Sequence, residues 1–160
     1  MSGQLQVERR RDPDAGFTSV LIAPCGINCR VCRAYLREKN PCHGCRSKQA
    51  DKPKTRSMCK IKLCVLRQQY RFCFECASFP CDRLRHLDER YRTKYHCSVV
   101  ENLSCIKSVG IQRFLRQEKN RWRCQCGGII SVHSYKCSSC GKDRGESQKK
   151  INNFTLSATK

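Results

Sequence analysis

The sequence CQCGG at residues 124–128 is followed by CSSCG at residues 137–141, with ten residues between Cys126 and Cys137. Two short cysteine pairs joined by a hairpin-sized segment are typical of a zinc ribbon. A glycine after each pair lets backbone amides turn toward the sulfurs. The first pair has one intervening residue instead of the usual two, which tightens its bite. Four cysteines are therefore predicted to hold one zinc ion: Cys124, Cys126, Cys137 and Cys140.

A second and larger cysteine set precedes this one. The C-x-x-C pairs at residues 29–32 and 42–45 are nine residues apart, a spacing typical of one zinc site. The pairs at residues 59–64 and 73–76 can form another. With the ribbon, these sites predict about two to three zinc ions in the chain. The predicted ligands in this set are Cys25, Cys29, Cys32, Cys42, Cys45, Cys59, Cys64, Cys73, Cys76 and Cys81.

The ligand grouping in this larger set stays open. Two four-ligand sites leave Cys25 and Cys81 over, and either can replace another ligand. Thiolates also suit an iron–sulfur cluster, so a cluster on the N-terminal cysteines is the alternative to zinc. The C-x₃-C-x₂-C spacing at residues 25–32 is the one that radical-SAM enzymes use, but the remaining chain is too short and too rich in cysteine for such an enzyme.

The order of these cysteines resembles a known family. The stretches at residues 25–35, 41–46, 59–64 and 72–81 resemble the prokaryotic cysteine-rich domain-of-unknown-function family numbered thirty-seven ninety-five. The resemblance covers about residues 20–141, because some members similarly carry a ribbon after the domain. It implies a small metal-type domain with cysteine ligands, and it implies no substrate or activity.

The composition also favours metal. Hydrophobic residues make up 39% of the 160-residue chain, and that count includes 16 cysteines. This is below the ~45–50% that is usual for globular domains, so burial alone is a weak source of stability. The N-terminal sequence lacks the apolar region of a signal peptide, and no apolar run spans a membrane. We therefore predict a cytoplasmic location without a membrane partner, where cysteine clusters bind metal more often than they form disulfides.

The predicted fold is a small α+β, metal-stabilised, cysteine-rich domain with a helical segment and a C-terminal zinc ribbon. Five segments follow from the cysteine and charge distribution. They are a disordered basic tail at residues 1–16, a cysteine-rich metal-binding domain at 17–97, a helical segment at 98–121, the zinc ribbon at 122–141 and a polar tail at 142–160.

Local patterns predict the secondary structure within these segments. β-Branched residues predict strands at residues 17–23 and 128–133. A helix is predicted over residues 80–95, with an apolar face that includes Leu84 and Tyr91.

Two further helices are expected. Ser98 and Glu101 match a capping box, and Gly110 is a natural helix end. The apolar spacing then predicts another helix up to Trp122, which is expected to lie in the core. Two cysteines outside the paired spacings are predicted to be buried, metal-free residues: Cys97 and Cys105.

The charge favours a polyanionic partner. The chain has 33 Lys and Arg against 13 Asp and Glu, a net charge of +20. RNA or a ribonucleoprotein, before DNA, is the predicted partner, since Tyr70 and Phe72 beside arginines suit base stacking. The same charges also suit a solvated surface without a partner. The predicted nucleic-acid contacts are Arg9, Arg10, Arg11, Arg67, Arg71, Arg83, Arg85, Arg90, Arg92, Lys94, Arg121 and Arg123.

Catalytic motifs are lacking in the sequence. We find no phosphate-binding glycine loop after a strand, no zinc-protease or nucleophile-elbow motif and no paired carboxylates. The protein is therefore predicted to be non-enzymatic. Two alternative functions remain, an iron–sulfur redox or sensor protein and a zinc-stabilised assembly subunit that docks an acidic protein.

Overall fold

A computed structural model describes residues 16–48 and 57–145. The predicted disordered tail at residues 1–16 lies outside these ranges except for its last residue. Most of the polar tail at residues 142–160 also lies outside the described residues, as do the predicted nucleic-acid contacts Arg9, Arg10 and Arg11.

The described residues are rich in helix. Single 3₁₀ turns occur at Ser19–Leu21, Cys29–Val31 and Cys73–Glu75. Four antiparallel bridges occur singly, and the described ranges contain no extended strand. None of the helices in these ranges has the length and apolar character needed to cross a membrane. The α-helices are α1 at Arg33–Leu36, α2 at Lys60–Arg67, α3 at Asp82–Tyr95, α4 at Val99–Val109 and α5 at Ile111–Trp122.

The α+β prediction is confirmed only in part, because the described residues form the helices but no extended strand at either predicted position. At the first predicted strand, residues 17–23, the chain forms a 3₁₀ turn at Ser19–Leu21. Ile22 then makes one bridge to Asn28. The chain turns back at once through a hydrogen bond from the Gly26 amide to the Ala23 carbonyl, of 2.9 Å. A β-branched segment without a neighbouring strand has no ladder to join, so its local preference is overridden. The second, residues 128–133, contains isolated bridges only.

The three helix predictions are confirmed. Helix α3 begins at Asp82, two residues after the predicted start. Helix α4 begins where predicted, since the Ser98 hydroxyl accepts a hydrogen bond of 3.0 Å from the Glu101 amide. It ends at Gly110, whose φ of +82° few other residues adopt, and α5 follows directly.

The main core lies between the N-terminal loops and α3 to α5. It is formed by side chains such as Leu84, Leu103 and Phe114, which are almost completely inaccessible. Gly26 brings the N-terminal loop against α4, because a Cβ atom there would lie 2.6 Å from the Val99 carbonyl oxygen. Helix α4 therefore packs directly against the loop that carries Cys25.

A smaller core joins the C-terminal segment to the rest of the fold. Trp122 is buried there as predicted, together with Ile129, Val132 and Tyr135. Cys97 lies in this smaller core and Cys105 in the main one, and the prediction that both are buried is confirmed.

One buried carboxylate connects the two cores. Glu118 is 1% exposed and accepts hydrogen bonds from the Asn28 amide group, at 2.9 Å, and from the Trp122 indole, at 3.0 Å. Arg121 donates to its other oxygen at 3.3 Å. A backbone hydrogen bond of 2.9 Å from Val132 to Val31 also connects the two parts of the chain.

A second carboxylate holds α3 against the start of α4. Asp88 accepts from the Ser98 hydroxyl at 2.7 Å, the Val100 amide at 3.0 Å and the Arg92 guanidinium at 2.7 Å. Burial alone would raise the pKa of Asp88, but these donors outweigh it, so that its pKa is lowered.

Candidate metal centres and basic cavities

The four C-terminal cysteines converge. The sulfurs of Cys124, Cys126, Cys137 and Cys140 all lie within 4.8 Å of one another. Two sulfur–sulfur distances are 3.8 Å, from Cys124 to Cys140, and 3.5 Å, from Cys126 to Cys137. Zinc–thiolate bonds of ~2.3 Å in a tetrahedron place the sulfurs about 3.8 Å apart. The arrangement therefore fits one tetrahedral metal ion.

Short turns hold these sulfurs in place. The Gly127 amide donates to the Cys124 carbonyl at 2.9 Å, and the Gly128 amide lies 3.4 Å from the Cys126 sulfur. In the second turn the Ser139 amide lies 3.4 Å from the Cys137 sulfur. Amides that point at sulfur stabilise its anionic form, which is the form that binds metal.

The electrostatics of the cluster agree with that role. Backbone hydrogen bonding within the Cys124–Cys126 turn, with the neighbouring thiols contributing, lowers the pKa of Cys124 to about 7. The cluster can therefore hold a metal ion. The segment around it has isolated bridges instead of paired strands, so the predicted zinc ribbon is not confirmed.

The first N-terminal cysteines form a buried group. The Cys45 amide lies 3.4 Å from the Cys29 sulfur, and the pKa of Cys29 is raised, first by its hydrogen bond with the Cys45 thiol and then by burial. Burial also raises the pKa of Cys25, with further contributions from Cys45, Cys73 and Cys59. Cys25, which the spacing left over, therefore interacts electrostatically with Cys29 and Cys45.

The later N-terminal cysteines surround a cavity. Cys64, Cys73, Cys76 and Cys81 line a space of about 50 Å³. Burial raises the pKa of Cys73 to about 12, and the thiols of the other three add to the shift. Cys81, the other cysteine that the spacing left over, thus joins a set of four.

No three N-terminal cysteines among the described residues have sulfurs that all lie within 4.8 Å of one another. Their individual roles as ligands stay a prediction. Cys42 is buried and Cys32 half-buried, and the contacts described above do not include either of them.

The region that contains the N-terminal cysteines matches a family model. Residues 21–86 match the family model of DUF3795, described as a protein of unknown function. The match confirms the family resemblance and contains all ten N-terminal cysteines. It ends well before the expected limit near residue 141, so the C-terminal set lies outside the DUF3795 match. Neither the curated proteins nor the solved structures contain a match to the chain.

The predicted nucleic-acid residues divide into exposed and internal ones. Arg67, Arg71, Arg123 and the basic residues of α3 are exposed. Arg92 is occupied by ion pairs with Asp88 and Glu101, at 2.7 and 2.8 Å.

Two of the predicted contacts are internal. The Arg121 side chain is 14% exposed, pairs with Glu118 and lies 4.8 Å from the centre of the Trp122 ring system. Phe72 is 3% exposed and stacks on Phe74, so its ring is not available to a base. Phe72 belongs to the main core, whereas its position beside arginines in the sequence had indicated an exposed site.

Basic residues that sequence analysis did not single out join the exposed ones at two cavities. Within the DUF3795 match, a cavity of about 220 Å³ is lined by Lys60, Arg67 and Arg83, together with Leu63, Cys64 and Gln68. No carboxylate lines it. Lys60 and Arg67 are seven positions apart and so lie on one face of α2, but no helix was predicted there, and the contribution of Lys60 was therefore missed.

The other basic cavity lies beside the C-terminal cysteines. It has a volume of about 280 Å³, and its lining includes Arg123, Cys124, Lys142, Asp143 and Arg144. Because a carboxylate belongs to its lining, its positive charge is partly compensated.

Proposed function

We propose that the protein is a non-enzymatic, zinc-stabilised module that binds RNA through the cavity between α2 and α3. The observation that carries this proposal is the lining of that cavity. Lys60, Arg67 and Arg83 converge on it from two helices without a carboxylate among them. Three cations around one cavity attract a phosphate strongly, and no carboxylate in the cavity lining competes with the phosphate for them.

RNA suits this cavity better than duplex DNA does. A single strand is flexible enough to bring one phosphate between two helices, whereas a duplex presents its phosphates on a stiff, broad surface. The net charge of +20 supplies long-range attraction for any polyanion. The cavity would then fix where the backbone enters.

Zinc is the ion proposed for the C-terminal set. Four thiolates around one point form a closed tetrahedral site with no open position, which is the usual form of a structural zinc site. The distances of 3.5 and 3.8 Å between its sulfurs support this assignment. In this proposal the ion stabilises the C-terminal segment and takes no part in a reaction.

The test is a salt series of binding measurements on the full chain. A fluorescently labelled single-stranded RNA is titrated, and anisotropy gives the affinity of the wild type and of Lys60→Gln/Arg67→Gln. Loss of two phosphate contacts should lower affinity at least tenfold and reduce the salt slope by about 1.4.

The matched control removes the same charge elsewhere. Lys107→Gln/Arg116→Gln changes two exposed cations of α4 and α5 that neither line the cavity nor belong to the predicted contacts. The control should retain most of the affinity. Equal losses in both variants would show that bulk charge alone binds the RNA, and absence of RNA binding by the wild type would overturn the proposal. A duplex DNA of equal length, bound as tightly as RNA, would contradict the choice of RNA.

A further inference from the structure

Four cysteines inside the DUF3795 match surround one small cavity without closing on a point. Cys64 comes from α2, Cys73 and Cys76 from the turn before residue 80, and Cys81 from the N-terminal cap of α3. Three separate elements thus supply cysteines to the lining of a space of about 50 Å³.

The spacing of these sulfurs differs from that of the C-terminal set. There, all four lie within 4.8 Å, as a single ion requires, whereas no three of the cavity sulfurs do. A cluster separates its thiolates more widely than one ion does, because its own irons and sulfides occupy the centre. Four cysteine thiolates are also the usual ligands of such a cluster.

We propose that Cys64, Cys73, Cys76 and Cys81 bind an iron–sulfur cluster in this cavity. Apolar side chains, among them Ile61, Val65 and Phe79, form much of the remaining wall and would shield the side of the cluster that they face from water. Arg83 also lines the cavity and offsets the negative charge that four thiolates bring. Cys64 and Arg83 line both this cavity and the one proposed for RNA, but the proposal does not depend on RNA binding, because its test measures iron and sulfide alone.

The test compares metal and sulfide contents after anaerobic purification of the full chain. The wild type should contain about four irons and four sulfides per chain and absorb visible light. The variant Cys64→Ser/Cys81→Ser should lose at least nine-tenths of the iron and sulfide. Both positions are exposed, and serine is a favourable residue at the helix cap, so the variant should fold. Its circular dichroism checks the helix content.

Two controls separate this site from the others. Cys124→Ser/Cys140→Ser should retain the iron and lose zinc, and Cys105→Ala should retain both. The proposal is overturned if the anaerobic wild type contains no iron, if Cys64→Ser/Cys81→Ser retains it, or if zinc is the metal that this variant loses. Should the double variant misfold, Cys81→Ser alone decides. Replacement of one thiolate must change the electron paramagnetic resonance spectrum of the reduced cluster, and an unchanged spectrum rejects the assignment.

Discussion

The C-terminal and N-terminal cysteines reach their positions in different ways. At the C-terminus, two short turns bring together sulfurs from residues no more than 16 positions apart, beside a small core that includes Trp122, Ile129 and Tyr135. The N-terminal cysteines sit on loops and helices that pack on the main core. Because its core is the smaller one, we expect the C-terminal set to depend on a bound metal ion for its shape, whereas the N-terminal cysteines take much of theirs from apolar packing.

The largest effect is expected when the C-terminal ion is removed. Cys126→Ser/Cys140→Ser should abolish zinc binding there and unfold residues 122–145, because structural zinc supplies ~10–16 kcal/mol of apparent free energy in small modules. Hydrogen exchange measured by mass spectrometry should show loss of protection in this segment and retention in α4.

The control for this change is Ser138→Ala, an exposed residue between two of the cysteines. It should leave zinc content and protection unchanged. If the double variant kept its protection, the C-terminal segment would fold without metal and the contrast between the two regions would fail.

Substitution of the carboxylate that joins the regions should have the next largest effect. Glu118→Ala leaves the Asn28 amide and the Trp122 indole without their buried acceptor. We expect a loss of about 3–5 kcal/mol in the free energy of unfolding, measured by urea denaturation. Glu118→Gln keeps one acceptor oxygen and should lose less. A loss below 1 kcal/mol in the alanine variant would mean that the two regions do not depend on this contact.

A pair of glycines compares the packing of the two regions directly. Gly26 and Gly127 have φ values of +88° and +84°, but only Gly26 has neighbours within 4 Å of an added Cβ. Gly26→Ala should cost about 3 kcal/mol, from backbone strain and overpacking together. Gly127→Ala should cost about 1 kcal/mol from strain alone. Equal shifts in thermal stability would contradict the tighter packing of the N-terminal loop.

The smallest effect concerns the acid side of the stability profile. The pKa of Asp88 is lowered in the folded state, so its contribution is present above the ordinary pKa of ~3.9 and is lost as pH falls through the folded value. Asp88→Asn should therefore cost about 1–2 kcal/mol at neutral pH and flatten the decline below about pH 4. A decline as steep as that of the wild type would show that other carboxylates cause it.

Sequence analysis succeeded where the determining contacts are local. The spacing of Cys124, Cys126, Cys137 and Cys140 predicted a set that the structure brings together. The Ser98 cap and Gly110 likewise predicted the ends of α4. In each of these, the interacting groups lie at most 16 positions apart in the sequence, so the local pattern was enough to predict the outcome.

Distant contacts account for what sequence analysis missed. The bond between Asn28 and Glu118 spans 90 positions, and no local pattern indicates it. Cys25 and Cys81 were left over by pair spacing, yet each lies near other thiols once α3 packs on the N-terminal loops. The strand predicted at residues 17–23 is missing because β-propensity has no effect without a partner strand.

Trp122 has a practical consequence as an optical probe. It is the only tryptophan of the chain, it is buried in the smaller core, and its indole donates to Glu118. Its ring also lies 5.8 Å from that of Tyr135, in the C-terminal segment. Its fluorescence should therefore shift to longer wavelength when that segment separates from α5. A single emission spectrum then reports the attachment of the C-terminal segment, without a label and without signal from the twelve cysteines upstream.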